Sequence, residues 1–223
     1  MSTQPVSRGP ILPRPISRRQ ALAFSAAGLT ALVGGCGVFP KVNEPIELYT
    51  LTPKSSFPEN LPVVNWQLVV ETPTAPAGTD TARIALSRTP FTLEYFAKVG
   101  WTDRAPEMVQ TLLIESFEST GKIVGVGMES IGLRADYLLK TDLREFQALY
   151  EEGNDIPTVL VRVSALLIRM PARRIQASLA PEARVKAAGP GFTDVIAAFD
   201  EALGAVLRDI VAFTLTEGQK GFS

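Results

Sequence analysis

The sequence predicts an α/β protein, a three-layer sandwich with a mixed, partly antiparallel sheet and two main amphipathic helices. Three observations lead there. Short β-branched and aromatic runs separated by turn residues fill positions 46–95. Two stretches, 103–120 and 192–215, repeat their apolar residues at helical spacing. Between them, positions 137–180 alternate apolar and polar side chains with the period of two that a half-buried strand requires.

Taken in order, residues 46–51 (IELYTL) and 66–70 (WQLVV) suit strands, with the turn-rich segment from Thr52 through Pro53 and Pro58 between them. Residues 83–86 (RIAL) and 91–95 (FTLEY) follow, divided by Ser87-Arg88-Thr89-Pro90. The helix over 103–120 takes Thr102 or Asp103 as its cap. Pro106 falls in its first turn, where a missing N–H costs nothing, and Gly121 ends it. Met108, Val109, Leu112, Leu113 and Phe117 form its apolar stripe.

Residues 122–126 read as a strand. In 137–146, Tyr137, Leu139 and Leu143 share one face, and Leu138, Lys140, Asp142 and Arg144 the other. A polar loop at 151–155 leads into 158–168, where Val159, Val161, Val163, Ala165 and Leu167 alternate. After the turn at 170–173, residues 174–180 should point Ile175, Ala177 and Leu179 inward, completing an antiparallel meander. The closing helix, capped by Thr193 or Asp194, aligns Phe192, Val195, Ile196, Phe199, Leu203, Val206, Leu207 and Ile210 for packing across the sheet.

Composition removes several classes of chemistry. The chain has no histidine, so Ser-His-Asp and Cys-His catalysis are excluded and the commonest metal ligand is missing. Its single cysteine can build neither a disulfide framework nor a thiolate metal site, and no cofactor is expected. Gly125-Val126-Gly127 with Gly132 fails the dinucleotide spacing and is followed by no Walker lysine; it reads as a glycine loop between strands. The adjacent carboxylates Glu151-Glu152 and Asp200-Glu201 read as solvated surface. The cluster Phe91, Tyr95, Phe96 and Trp101 carries two readings, core packing or a patch that contacts a partner or lipid.

The first 37 residues carry the strongest signal. Ser17-Arg18-Arg19 precedes an uncharged apolar run over 21–33, which ends in Val33-Gly34-Gly35-Cys36-Gly37. A basic segment, an apolar stretch and small residues before a cysteine make up a bacterial lipoprotein export signal, with Cys36 becoming the lipid-bearing first residue of the mature protein. The 15 residues of 21–35 are too few for a membrane span, which needs about 20. Arg18 and Arg19 also resemble the twin-arginine export signal, although Ala21 departs from it, and the twin-arginine and ordinary secretory routes both stay open.

These signals divide the chain into a signal peptide (1–35), a lipidated cysteine and tether (36–45), a domain (46–217) and a short tail (218–223). The four arginines lost with the signal take the formal net charge from −1 to −5, which leaves no basic surplus for binding nucleic acid.

In order and spacing, these segments resemble the auxiliary lipoproteins of ABC-type transport systems that work with MCE proteins, the PqiC-like family. The resemblance runs through Leu48-Tyr49-Thr50-Leu51, Arg83-Ile84-Ala85-Leu86-Ser87, Tyr95 with Trp101, the Val109-Gln110 and Leu112-Leu113 helix, and 137–146 (YLLKTDLREF). It implies a non-catalytic envelope component, lipid-anchored at Cys36 and facing the periplasm. The implied partners are an MCE-domain protein and the permease and ATPase of the same transporter, with homo-oligomerisation a further expectation and phospholipid or sterol as cargo. A second reading makes the chain a periplasmic lipid-binding lipoprotein that carries the cargo itself. Gly37, standing where an aspartate would retain a lipoprotein at the inner membrane, points to the outer membrane.

Overall fold

A computed structural model describes residues 45–129 and 134–222. Cys36, Arg18, Arg19, the signal segment, the tether up to residue 44 and Gly132 lie outside the described residues. The elements are β1 (Glu47–Tyr49), β2 (Val64–Val70), β3 (Ala85–Ser87), β4 (Glu94–Tyr95), β5 (Val99–Trp101), α1 (Ala105–Ser119), β6 (Ile123–Met128), β7 (Tyr137–Leu149), β8 (Thr158–Arg169), β9 (Arg174–Leu179), β10 (Glu182–Lys186) and α2 (Phe192–Phe222).

Two long strands, β7 and β8, pair antiparallel at the centre of an eight-stranded sheet whose main path runs β10-β8-β7-β2-β6. Their outer edges are each covered by two short strands in tandem. On β7, β2 covers the beginning and β3 the end, both parallel. On β8, β9 and β10 divide the edge, both antiparallel. Pro181 falls at the break between β9 and β10; it has no N–H to give, and its carbonyl accepts the Val163 N–H instead. β4 adds to β3, while β1 and β5 form a separate parallel pair. The sheet is therefore mixed and partly antiparallel, with two main helices, as the alternation and the helical stripes predicted.

Both helices bury their stripes in one core. α2 lies along β8, β9 and β10, and α1 lies on β6 and touches α2. Phe117, Leu113, Phe199, Leu203, Val206 and Leu207 meet Trp66, Leu68, Tyr137, Leu139 and Val161 there. The faces predicted for 137–143 hold, with Tyr137, Leu139 and Leu143 in this core and Leu138 on the opposite side. A bulge between Leu143 and Glu145 then shifts the phase, so Phe146 and Ala148 also turn to the core and the strand continues to Leu149.

The structure corrects several local expectations. Ile175 does not point inward, being 64% exposed. An irregularity opposite Leu167 and Ile168 leaves Gln176 as an extra residue, which reaches α2 through its side chain and turns Ile175 to the open face. Gly125 and Gly127 lie inside β6, paired with Gln67 and Val69, and not in a loop. α1 has Arg104 at its N-cap, where a guanidinium has no acceptor to offer and no side-chain cap bond forms, and the Asp103 carboxylate accepts the Arg104 N–H. α2 runs on past residue 215 to Phe222. The strand expected over 91–95 shrinks to Glu94–Tyr95, and β5 and β10 are additional.

Candidate interaction surface

Residues 87–93 form a tight turn between β3 and β4 that is tied by its own hydroxyls. The Ser87 hydroxyl lies 2.6 Å from the Thr89 carbonyl oxygen and 2.8 Å from that of Thr92, and the Thr89 and Thr92 hydroxyls lie 2.9 Å apart. Arg88 sits 3.8 Å from the Glu94 carboxylate, with its guanidinium 4.8 Å from the centre of the Tyr150 ring. This closed turn carries Phe91 at its tip, 96% exposed, with Leu93 beside it 43% exposed. An isolated exposed apolar residue is ordinary, but a whole phenyl ring held in water by an ordered turn leaves a large contact area unused.

The other three predicted aromatics go elsewhere. Tyr95 is half-buried, donating its hydroxyl to the Gly78 carbonyl at 2.9 Å with the Arg83 guanidinium 3.7 Å above its ring. Phe96 packs between Phe192, at 5.0 Å, and Tyr150, at 6.4 Å. Trp101 is 1% exposed and stacks with Phe146 and Phe199. The four thus do not share one surface; Phe91 alone projects, and Trp101 is core.

A second apolar pair was not anticipated. Ile46 and Leu48, 64% and 58% exposed, flank Gly100 on the outer side of β1, where 46–51 had read only as strand. The inward Tyr49 stacks on Phe192 at 5.1 Å. Hence β1 and the Phe91 turn belong to one end of the domain, joined through Tyr49, Phe192, Phe96, Tyr150 and Arg88. Burial holds the Tyr150 hydroxyl proton above its ordinary range, against the opposing pull of Arg88, and at Tyr49 a hydrogen bond with Glu47 acts first in the same direction.

The sheet face away from the helices carries a small apolar cluster of Val69, Leu138 and Ile168, with Leu166 and Met170 packed against it. Val69, Leu138 and Met170 of this cluster form the apolar floor of an open cleft of about 610 Å³. The rim is mixed in charge: Arg134 and Arg173 stand with Glu71, Glu129 and Asp136, and the Asp136 carboxylate accepts the Gln67 N–H at 2.8 Å. The alternation of Leu138 with the core residues Tyr137 and Leu139 was its only trace in the sequence.

The paired acids have structural or surface positions. Asp200 accepts the Thr52 N–H at 2.7 Å and the Thr52 hydroxyl at 2.9 Å, while Glu151 and Glu152 sit in the exposed turn after β7. Among the described residues no group of three or more Asp, Glu, His or Cys side chains could hold a metal ion, and no helix is long and apolar enough to cross a membrane.

The profile of a family described as the ABC-type transport auxiliary lipoprotein component matches residues 49–211, from the end of β1 into α2. No curated protein matches the chain. Among solved structures, protein XCC0632 from Xanthomonas campestris is 30% identical, with a TM-score of 0.74 over 78% of this chain and 97% of its own. An uncharacterised protein at 15% identity superposes with a TM-score of 0.59 over 75% of this chain and 97% of its own, a likeness of fold alone.

Proposed function

The chain belongs to the family of ABC-type transport auxiliary lipoprotein components, and from that premise we propose that it is a lipid-anchored periplasmic subunit of an MCE/ABC-type intermembrane lipid transporter, acting by protein–protein contact. The observation that supports this reading is the extent of the family match, which takes in α1, the greater part of α2 and the eight-stranded sheet. Cys36 bears the acyl anchor, Arg18 and Arg19 direct export, and Gly37 favours the outer membrane.

The division of labour follows from chemistry. With no histidine and no nucleotide-binding loop, the chain contributes position and contact, while ATP hydrolysis falls to a cytoplasmic partner. Purification from membranes in mild detergent should recover an MCE-domain protein or its permease, and repeated absence of both would refute the proposal. Sucrose-gradient fractionation should place the protein in the outer membrane; recovery only with the inner membrane would overturn that part.

One observation favours a second reading, in which the protein carries lipid itself: the apolar floor of the cleft at Val69, Leu138 and Met170. Native mass spectrometry should then find a co-purified lipid, and an empty protein would remove this alternative.

A further inference from the structure

We propose that the Phe91 turn and the outer side of β1 form one membrane-contacting edge, which sets the domain against the surface of an electrically neutral lipid bilayer. The inference rests on the reading of Cys36 as the lipid anchor and goes beyond it, because an anchor alone leaves the domain free to face any way.

Three observations converge. Phe91 is 96% exposed at the tip of a turn closed by Ser87, Thr89 and Thr92, so its projection is built in and not the product of a loose loop. Ile46 and Leu48 are exposed at the same end, joined to the turn by the aromatic chain from Tyr49 to Tyr150. The described domain begins at residue 45, and nine residues beyond Cys36 reach no farther than about 30 Å. Of all surfaces, the bilayer is the one that such a tether keeps constantly within reach of β1.

The chemistry of the edge selects the lipid. Aromatic and aliphatic side chains settle at the boundary between headgroups and acyl chains, and Pro90, Phe91, Leu93, Ile46 and Leu48 supply both kinds. The charges around them do not favour an anionic leaflet. Arg88 is already matched by Glu94, and although Arg83 stands over the Tyr95 ring and Lys98 lies beside Glu47, the carboxylates of Glu47, Glu94, Glu151, Glu152 and Asp155 outnumber these three cations. Insertion is therefore driven by apolar contact, and strongly anionic lipid weakens it.

The two native tryptophans, Trp66 and Trp101, are buried at 0% and 1% exposure, so a Phe91→Trp substitution introduces a reporter at the one position in question. The mature lipidated protein carrying Phe91→Trp would be reconstituted into phosphatidylcholine–phosphatidylethanolamine vesicles with and without brominated acyl chains. The reporter emission should shift to the blue, lose several-fold more intensity to the brominated chains than wild-type protein does, and be shielded from acrylamide. Replacing half of the lipid with phosphatidylglycerol should reduce the bromine effect.

Flotation with the vesicles but bromine quenching no greater than wild type would overturn the proposal while leaving the anchor intact. Shielding from acrylamide without bromine quenching would overturn it too, assigning Phe91 to a second copy or another protein. Failure to float would overturn the anchor reading and this edge together, and mass spectrometry of Cys36 would attribute that failure to missing acylation. Phe91 makes no core contact, so misfolding of the reporter does not confuse these outcomes.

Discussion

Trp101 and Phe91 lie ten residues apart in one aromatic segment, yet their truncation should have opposite consequences. Trp101 is 1% exposed and stands 5.4 Å from Phe146 and 5.3 Å from Phe199, ring centre to ring centre. A buried tryptophan removes about 150–250 Å² from water, worth roughly 4–6 kcal/mol at about 25 cal/mol per Å² as an upper bound. Trp101→Ala should therefore cost about 3–5 kcal/mol, with partial collapse of Phe146 and Phe199 setting where in that range it falls. For a domain stabilised by about 5–15 kcal/mol, this removes a large share.

With a urea slope near 2 kcal/mol per M, the unfolding midpoint should drop by roughly 1.5–2.5 M. Phe91→Ala, at a position that is almost wholly exposed, should stay within about 0.5 kcal/mol of wild type. The assay is urea unfolding of both variants in one detergent, followed by circular dichroism. Equal midpoint shifts for the two, or a large loss at Phe91, would refute the partition of this segment into core and surface.

Other perturbations probe the helix–sheet contact. A Cβ on Gly218 would come within 2.5 Å of the buried Trp66 ring, so Gly218→Val should cost roughly 1–3 kcal/mol by overpacking. Gly221→Ala should be much milder in the same urea titration, because the atoms it meets belong to the flexible end of Gln176. Asp200→Ala removes the acceptor that ties Thr52 to α2 and should cost about 1 kcal/mol, seen as faster amide exchange at Thr52.

The Tyr137 hydroxyl donates to the Gly218 carbonyl, and burial raises its pKa above the ordinary 10.0 against the opposing charge of Arg169. Since the folded chain holds this proton to higher pH than the unfolded chain does, the contribution is complete below pH 10.0 and is lost as pH climbs toward the folded value. Tyr137→Phe should consequently flatten the alkaline fall in Tm, measured from pH 8 to 11; an unchanged slope would contradict this assignment.

How far the sequence reveals the fold depends on what each segment owes to its neighbours. The long strands were legible because local alternation and burial agree over Tyr137, Leu139 and Leu143 and again from Val159 to Leu167. Where one extra residue enters a strand the agreement fails, as at Arg144 in β7 and Gln176 in β9, since a bulge inverts every later side chain and leaves no local signature. β5 and β10 were illegible for a different reason. Val99–Trp101 contains a glycine and pairs only with β1, while Glu182–Lys186 is a charged edge strand fixed by β8; both owe their extended form to a distant partner. For the candidate surface, the aromatic density of 91–101 was visible, but which rings project was not. That depends on the Ser87 turn, whose hydroxyl bonds end the strand alternation before Phe91.

The exposed edge matters through orientation more than through affinity. If Cys36 carries the proposed acyl anchor, a tether that reaches no farther than about 30 Å keeps the domain at the bilayer, so a weak additional contact acts at a high effective concentration. Burying a phenyl ring contributes about 1.5–3 kcal/mol, which at 1.4 kcal/mol per decade biases one orientation over others by roughly 10- to 100-fold. If Phe91, Ile46 and Leu48 face the membrane, the far ends of the sheet, and the open cleft over Val69 and Leu138, are left available to a protein partner or a cargo lipid. Phe91→Glu should then leave folding and membrane recovery unchanged but randomise the domain's presentation, so cross-linking to the proposed MCE-domain partner in intact cells should fall several-fold. Cross-linking at the wild-type level would mean that the partner, and not the edge, sets the orientation.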